Sequence, residues 1–177
     1  IAFYMMLAGA FCDFCDGLSA RLLKAYSDVG KELDSLADLI SFGMLPAIML
    51  HKLMTETGSS SILCCIPLVI VVLSAVRLAK FNIDERQTEN FIGLATPACA
   101  MICGSFVYYV SQDSSSILCS WASTAWFIPV GSVILSLLLV SEVPMFSMKF
   151  KKNMKGADPV NKQRIAFAGV IIASCLL

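Results

Sequence analysis

The chain has 177 residues, 58% hydrophobic and only 15% charged, with a formal net charge of zero and a mean hydropathy of +0.79. An ordinary soluble domain is about 25% charged, and zero net charge gives no electrostatic footprint for nucleic acid. The composition excludes both and specifies an all-α, polytopic transmembrane bundle.

Apolar runs occupy residues 1–14, 35–50, 62–79, 93–110, 117–140 and 165–177. Several approach the roughly 20 residues that cross the hydrocarbon layer, so about six spans are predicted in a single membrane domain, 1–177. The first and last runs begin and stop in mid-stretch, and the sequence reads as a piece of a longer protein, truncated at both ends. The first run lacks the positive n-region and small-residue cleavage site of a signal peptide.

The first run leads into Asp13-x-x-Asp16-Gly17-x-x-Ala20-Arg21, followed after eight residues by Gly30-x-x-x-Asp34-x-x-x-Asp38. Asp13 and Asp16 share a helix face at i,i+3, and Asp34 and Asp38 share another at i,i+4. An uncompensated carboxylate at mid-bilayer costs about 2.5–3.5 kcal/mol on the insertion scale, so four would cost about 10–14. They therefore require cations or a position near the membrane surface. Clustered carboxylates are hard oxygen ligands, suited to a two-metal phosphate site. Gly17, Ala20 and Gly30 remove side-chain bulk beside them, and Arg21 offers a planar fork for phosphate. Pairing with Arg21, Lys24 and Lys31 as a topology anchor would account for one or two acids, hardly for four at these spacings.

Farther along, His51 is expected at the surface, at the outer end of the second run. The third run ends in Arg77-Leu78-Ala79-Lys80-Phe81-Asn82. Cys12-x-x-Cys15 and Cys99-x-x-x-Cys103 have spacings seen in metal or redox sites. They lie inside apolar helices, however, where cysteine acts as a small hydrophobe. Arg21, Lys24 and Lys31, then Arg77, Lys80 and Arg86, then the six basic residues from Lys149 to Arg164 fall in alternate connections, leaving only Lys52 elsewhere. By the positive-inside rule these connections, and with them the acidic hairpin, face the cytoplasm.

The hairpin 13–38 resembles the signature of the CDP-alcohol phosphatidyltransferase family, D-x2-D-G-x2-A-R-x8-G-x3-D-x3-D, with every defined position filled. The resemblance implies a transmembrane bundle, usually a homodimer, with a polar cavity open to the cytoplasm. It implies divalent metal, two Mg2+ or Mn2+ ions, on Asp13, Asp16, Asp34 and Asp38, with Asp38 as metal ligand or general base. It also implies contacts to the cytidine diphosphate from Gly17, Ala20, Arg21 and Gly30.

Within the family, the flanking residues most resemble the serine-accepting, membrane-embedded branch. The resemblance rests on Glu32-Leu33-Asp34-Ser35-Leu36-Ala37-Asp38, on Ser41-Phe42-Gly43, on Arg77 to Asn82, and on Gly93-Leu94-Ala95-Thr96-Pro97-Ala98. Lys80 stands where arginine is more frequent, and Ala95 replaces a proline. The implied activity is phospholipid biosynthesis in a bacterial plasma membrane, by transfer of the phosphatidyl group from CDP-diacylglycerol to L-serine. Serine carries a carboxylate, so its site needs a fixed cation, and Arg77 is the candidate, with Lys80 and Asn82 about a turn beyond. The positive-inside rule alone also accounts for Arg77 and Lys80. A sibling transferase using inositol, inositol phosphate or glycerol phosphate shares the signature. An ion-coupled transporter would also use intramembrane carboxylates, but spread over several helices and depths.

Overall fold

The computed structural model of the chain describes residues 1–23, 27–83, 93–112 and 117–141, and every element among them is helical. All belong to one compact unit, Ile1–Met145. The sixth apolar run, the basic loop 149–164, Lys24 and Arg86 lie outside the described residues.

Helix α1, Ala2–Leu23, continues well past the apolar run that predicted it and carries the first half of the acidic signature on one unbroken helix. Met, Leu and Ala are strong helix formers and no proline interrupts them. The Ser19 hydroxyl donates back to the Cys15 carbonyl at 2.7 Å.

The second half begins at a built helix start. Ser27 is extended (φ −140°, ψ 147°) and its hydroxyl oxygen accepts the Gly30 amide at 3.0 Å, the geometry of an N-cap. Helix α2, Asp28–Asp38, passes into a π-helical turn, Leu39–Met44, and then into α3, Leu45–Glu56, forming one continuous helix of 29 residues. Pro46 accounts for the wide turn. It has no amide for the Phe42 carbonyl, and the Leu45 amide reaches back five residues to Ile40 instead of four.

The next helix repeats the lesson in the opposite sense. Helix α4, Ser61–Cys65, tightens to a 3-10 turn, Ile66–Leu68, before α5, Val69–Ile83. Pro67 withholds an amide from the Leu63 carbonyl, which the Ile66 amide meets.

Helix α6, Thr96–Gln112, is entered through Gly93, whose φ of 77° only glycine adopts freely. A Cβ there would also lie 2.8 Å from the carbonyl oxygens of Leu139 and Ser141. The Leu94 amide donates to the Leu138 carbonyl at 3.0 Å, which fastens the start of α6 to the end of the last described helix.

The apolar run 117–140, expected as one span, is two helices, α7 (Ile117–Ala122) and α8 (Phe127–Val140). A turn between them closes through the Thr124 amide on Trp121 and the Phe127 amide on Thr124. Its serine and threonine side chains bond local backbone and so compete with the helix there.

Helix α5 packs along α8, α3 along α6, and α1 crosses α6 and the π turn. Ala47, Leu50 and Met54 of α3, Ile70 of α5, Cys99 and Cys103 of α6 and Ile128 and Leu139 of α8 form the main core. A second cluster joins Met6, Phe42 and Ala100. Gly43 admits α5 closely, since a Cβ would stand 3.3 Å from that of Ser74. Cys12, Cys15, Cys64, Cys65, Cys99 and Cys103 are free thiols, and Cys99 and Cys103 are core residues. His51, expected at the surface, is half-buried: its Nδ1 pairs with the Cys64 carbonyl at 2.6 Å and ties α3 to α4.

Helices Asp28–Glu56 and Ser61–Asn82 are long and apolar enough to cross a membrane, and α8 is a shorter apolar helix. Their outward faces stay hydrophobic, as at Val72 and Val76 of α5 and Val130, Ile134 and Leu137 of α8. Water would penalise such continuous apolar faces, whereas hydrocarbon would not.

Candidate active site

The two halves of the signature meet. A carboxylate oxygen from each of Asp13, Asp34 and Asp38 lies within 4.8 Å of the others, so α1 and α2 present converging acids. Asp13 and Asp38 are half-buried and Asp34 is exposed. Asp16, also exposed, stands outside this triplet but within electrostatic reach of all three. Like charges at this spacing repel, and a divalent cation relieves the repulsion. The donor set, hard oxygens from two helices, fits magnesium or manganese.

Helix α2 contributes no buried residue. Its position is set by polar contacts to the end of α5. The Asn82 side-chain amide donates to both Glu32 carboxylate oxygens at 3.3 Å and to the Ser35 hydroxyl at 3.0 Å, and its backbone carbonyl accepts from Lys31 Nζ at 3.1 Å. Of the three acceptor candidates, Asn82 is thus engaged in holding α2. Lys80 is exposed. Arg77 alone points inward.

Arg77 is only 9% exposed, and its Nη1 donates to the Thr96 hydroxyl oxygen at 2.7 Å. Its Nε has no hydrogen-bond partner among the described residues. The guanidinium lies within electrostatic reach of Asp38, so a fixed positive group stands near one member of the acidic triplet. A cation site flanked by a guanidinium suits a substrate pair in which one partner is a diphosphate and the other carries an anion.

The remaining signature residues divide. Apart from its own stretch of helix, no atom of the described residues lies within 4 Å of a Cβ built at Gly17, which leaves open space one residue past Asp16. Ala20 is half-buried and Arg21 exposed on the same helix. Gly30 sits in the first turn of α2, where a Cβ would come within 2.9 Å of the Ser27 capping oxygen, so its smallness serves the cap. Thr96, Glu32 and Ser35 escaped the sequence reading. All three lie inside the quoted motifs without a role assigned to them; Glu32 and Ser35 could have been found by their spacing on α2, whereas Thr96 is 19 positions from Arg77 and no helical spacing pairs them.

Residues 1–138 match the family model described as CDP-alcohol phosphatidyltransferase. The chain is 32% identical over 157 residues to the CDP-diacylglycerol–serine O-phosphatidyltransferase of Bacillus subtilis (strain 168), covering 87% of this chain and 80% of that protein. It is 33% identical over 154 residues to the protein of the same name from Mycobacterium leprae (strain TN), covering 83% of this chain and 49% of that one, so it spans about half of that relative's length. The protein of that name from Helicobacter pylori (strain ATCC 700392 / 26695) is 31% identical over 159 residues, with coverage of 88% and 65%. No solved structure gives a significant match. A filled signature whose acids converge in space, and a family match over most of the length, place this chain in the CDP-alcohol phosphatidyltransferase family.

Proposed function

We propose that the protein transfers the phosphatidyl group of CDP-diacylglycerol to the hydroxyl of L-serine, giving phosphatidylserine and CMP. The observation that carries this reading is the convergence of Asp13, Asp34 and Asp38 beside the buried Arg77. The serine acceptor is supported by the names of the relatives.

In this reading Asp13, Asp16, Asp34 and Asp38 hold two divalent cations, magnesium or manganese. The chemistry such ions supply is neutralisation of the diphosphate and of the charge developing on CMP. The open space at Gly17 and the small Ala20 admit the cytidine diphosphate, Arg21 grips phosphate, and Gly30 holds the start of α2 close to it. Arg77 receives the serine carboxylate, with Lys80 at the cytoplasmic rim and Asn82 aligning α2. Asp38, half-buried and facing Arg77, takes the proton of the serine hydroxyl as its oxygen bonds to the phosphatidyl phosphorus. The bond from that phosphorus to the bridging oxygen breaks, and CMP departs with that oxygen. Most of the rate gain comes from holding the two reactants in line.

About six spans in a bacterial plasma membrane, a site open to the cytoplasm and a homodimer complete the reading. The full chain in membranes should release CMP from CDP-diacylglycerol on addition of serine and magnesium. Release with inositol or glycerol phosphate but not with serine would overturn the acceptor assignment and leave the transferase assignment standing.

A further inference from the structure

We infer that Thr96 is a positioning residue: its hydroxyl holds the Arg77 guanidinium in the orientation in which it meets the acceptor's carboxylate. The inference rests on the reading of Arg77 as the acceptor's anchor. A guanidinium has five N–H donors and cannot lose its charge, and Arg77 is held almost out of solvent with Nη1 on Thr96 and Nε unpartnered among the described residues. A buried arginine in a purely structural role pairs with a carboxylate and saturates its donors. Here the hydrogen-bond partner among the described residues is a neutral oxygen, which orients the group, while Asp38 stands within electrostatic reach of its charge.

Thr96 itself is fully buried and is the first residue of α6. Its place is fixed from both sides. Pro97 restricts its backbone from one side. From the other, the 93–96 connection is fastened to the end of α8 by the left-handed Gly93 and the bond from Leu94 to Leu138. The hydroxyl therefore stands on a rigid mount, the arrangement that gives a binding group its precision.

The test compares apparent KM values for serine and for CDP-diacylglycerol in the full chain carrying Thr96→Val, Thr96→Ser, Arg77→Ala and Thr96→Val with Arg77→Ala. Loss of a hydrogen bond to a charged group corresponds to about 10- to 100-fold. Thr96→Val is expected to raise the KM for serine by that factor, to leave the KM for CDP-diacylglycerol within about 2-fold, and to add nothing once Arg77 is alanine. Thr96→Ser, which keeps the hydroxyl, recovers most of the loss. Variants too slow to assay are compared by the shift in thermal inactivation that serine produces, read in the same double-variant cycle.

If Thr96→Val and Arg77→Ala both move the KM for CDP-diacylglycerol instead, with the same lack of additivity, Thr96 still positions Arg77 and the acceptor reading fails. Wild-type behaviour of Thr96→Val, or an equal loss in the presence and absence of Arg77, overturns the positioning role.

Discussion

Asp16 and Asp34 look equivalent in the linear signature but stand differently in space, Asp34 within the triplet of converging oxygens and Asp16 beside it. Both serve the same charge cluster, and removing even an indirect partner of a bound metal typically costs 10–100-fold. Asp34→Asn and Asp16→Asn should each lower turnover at least about 100-fold in saturating magnesium, with membrane insertion unchanged. Near-wild-type turnover in both variants would remove the metal assignment. The two acidic faces that carry the aspartates were legible from spacing because helical periodicity maps directly onto a face, whereas the meeting of Asp13 with Asp34 and Asp38 depends on the packing of α1 beside α2. Asn82 was read from the sequence as an acceptor or phosphate-binding candidate, and its hold on α2 was not legible, since its partners Glu32 and Ser35 lie about 50 positions away and only the packing of α5 beside α2 brings them together.

The elements owe their irregularities to single residues. Pro46 opens the π turn just beyond Asp38, and Pro67 tightens the helix that carries Arg77, so both helices whose turn proline alters hold site residues. Gly93 is the most exacting position. A Cβ there meets two backbone carbonyls, neither of which can rotate away, and the left-handed backbone adds strain. Gly93→Ala should cost about 1–3 kcal/mol. The measurement is residual fold after heating in detergent, and an unchanged inactivation temperature would show that the start of α6 tolerates displacement. The apolar runs predicted helix locations well, because hydropathy reports burial in any apolar medium. They missed the break between α7 and α8, where local serine and threonine bonds interrupt a run that remains apolar on average.

Across the whole molecule, the proposed orientation rests on the alternation of basic connections along the sequence. On a cysteine-free background, single cysteines placed in 111–116 and in 153–161 should react with an impermeant reagent from opposite faces of the membrane, the first outside and the second inside. Reaction from a common face would change the number of spans. The all-helical class and the acidic site were visible in composition and periodicity, whereas the setting of Arg77 was not, because a buried cation in an apolar helix reads on paper as a loop charge. The polar attachment of α2 has a dynamic consequence. A segment with no buried side chain draws its order from its continuation into the π turn, from the bonds to Asn82 and, in the proposed two-cation reading, from the ions that join Asp34 and Asp38 to Asp13, so in that reading cation binding and the ordering of α2 are thermodynamically linked. Chelation should accelerate amide exchange across Asp28–Asp38 while Leu45–Glu56, anchored in the core, keeps its protection, with the π turn as the boundary between a cation-dependent cooperative unit and a permanent one.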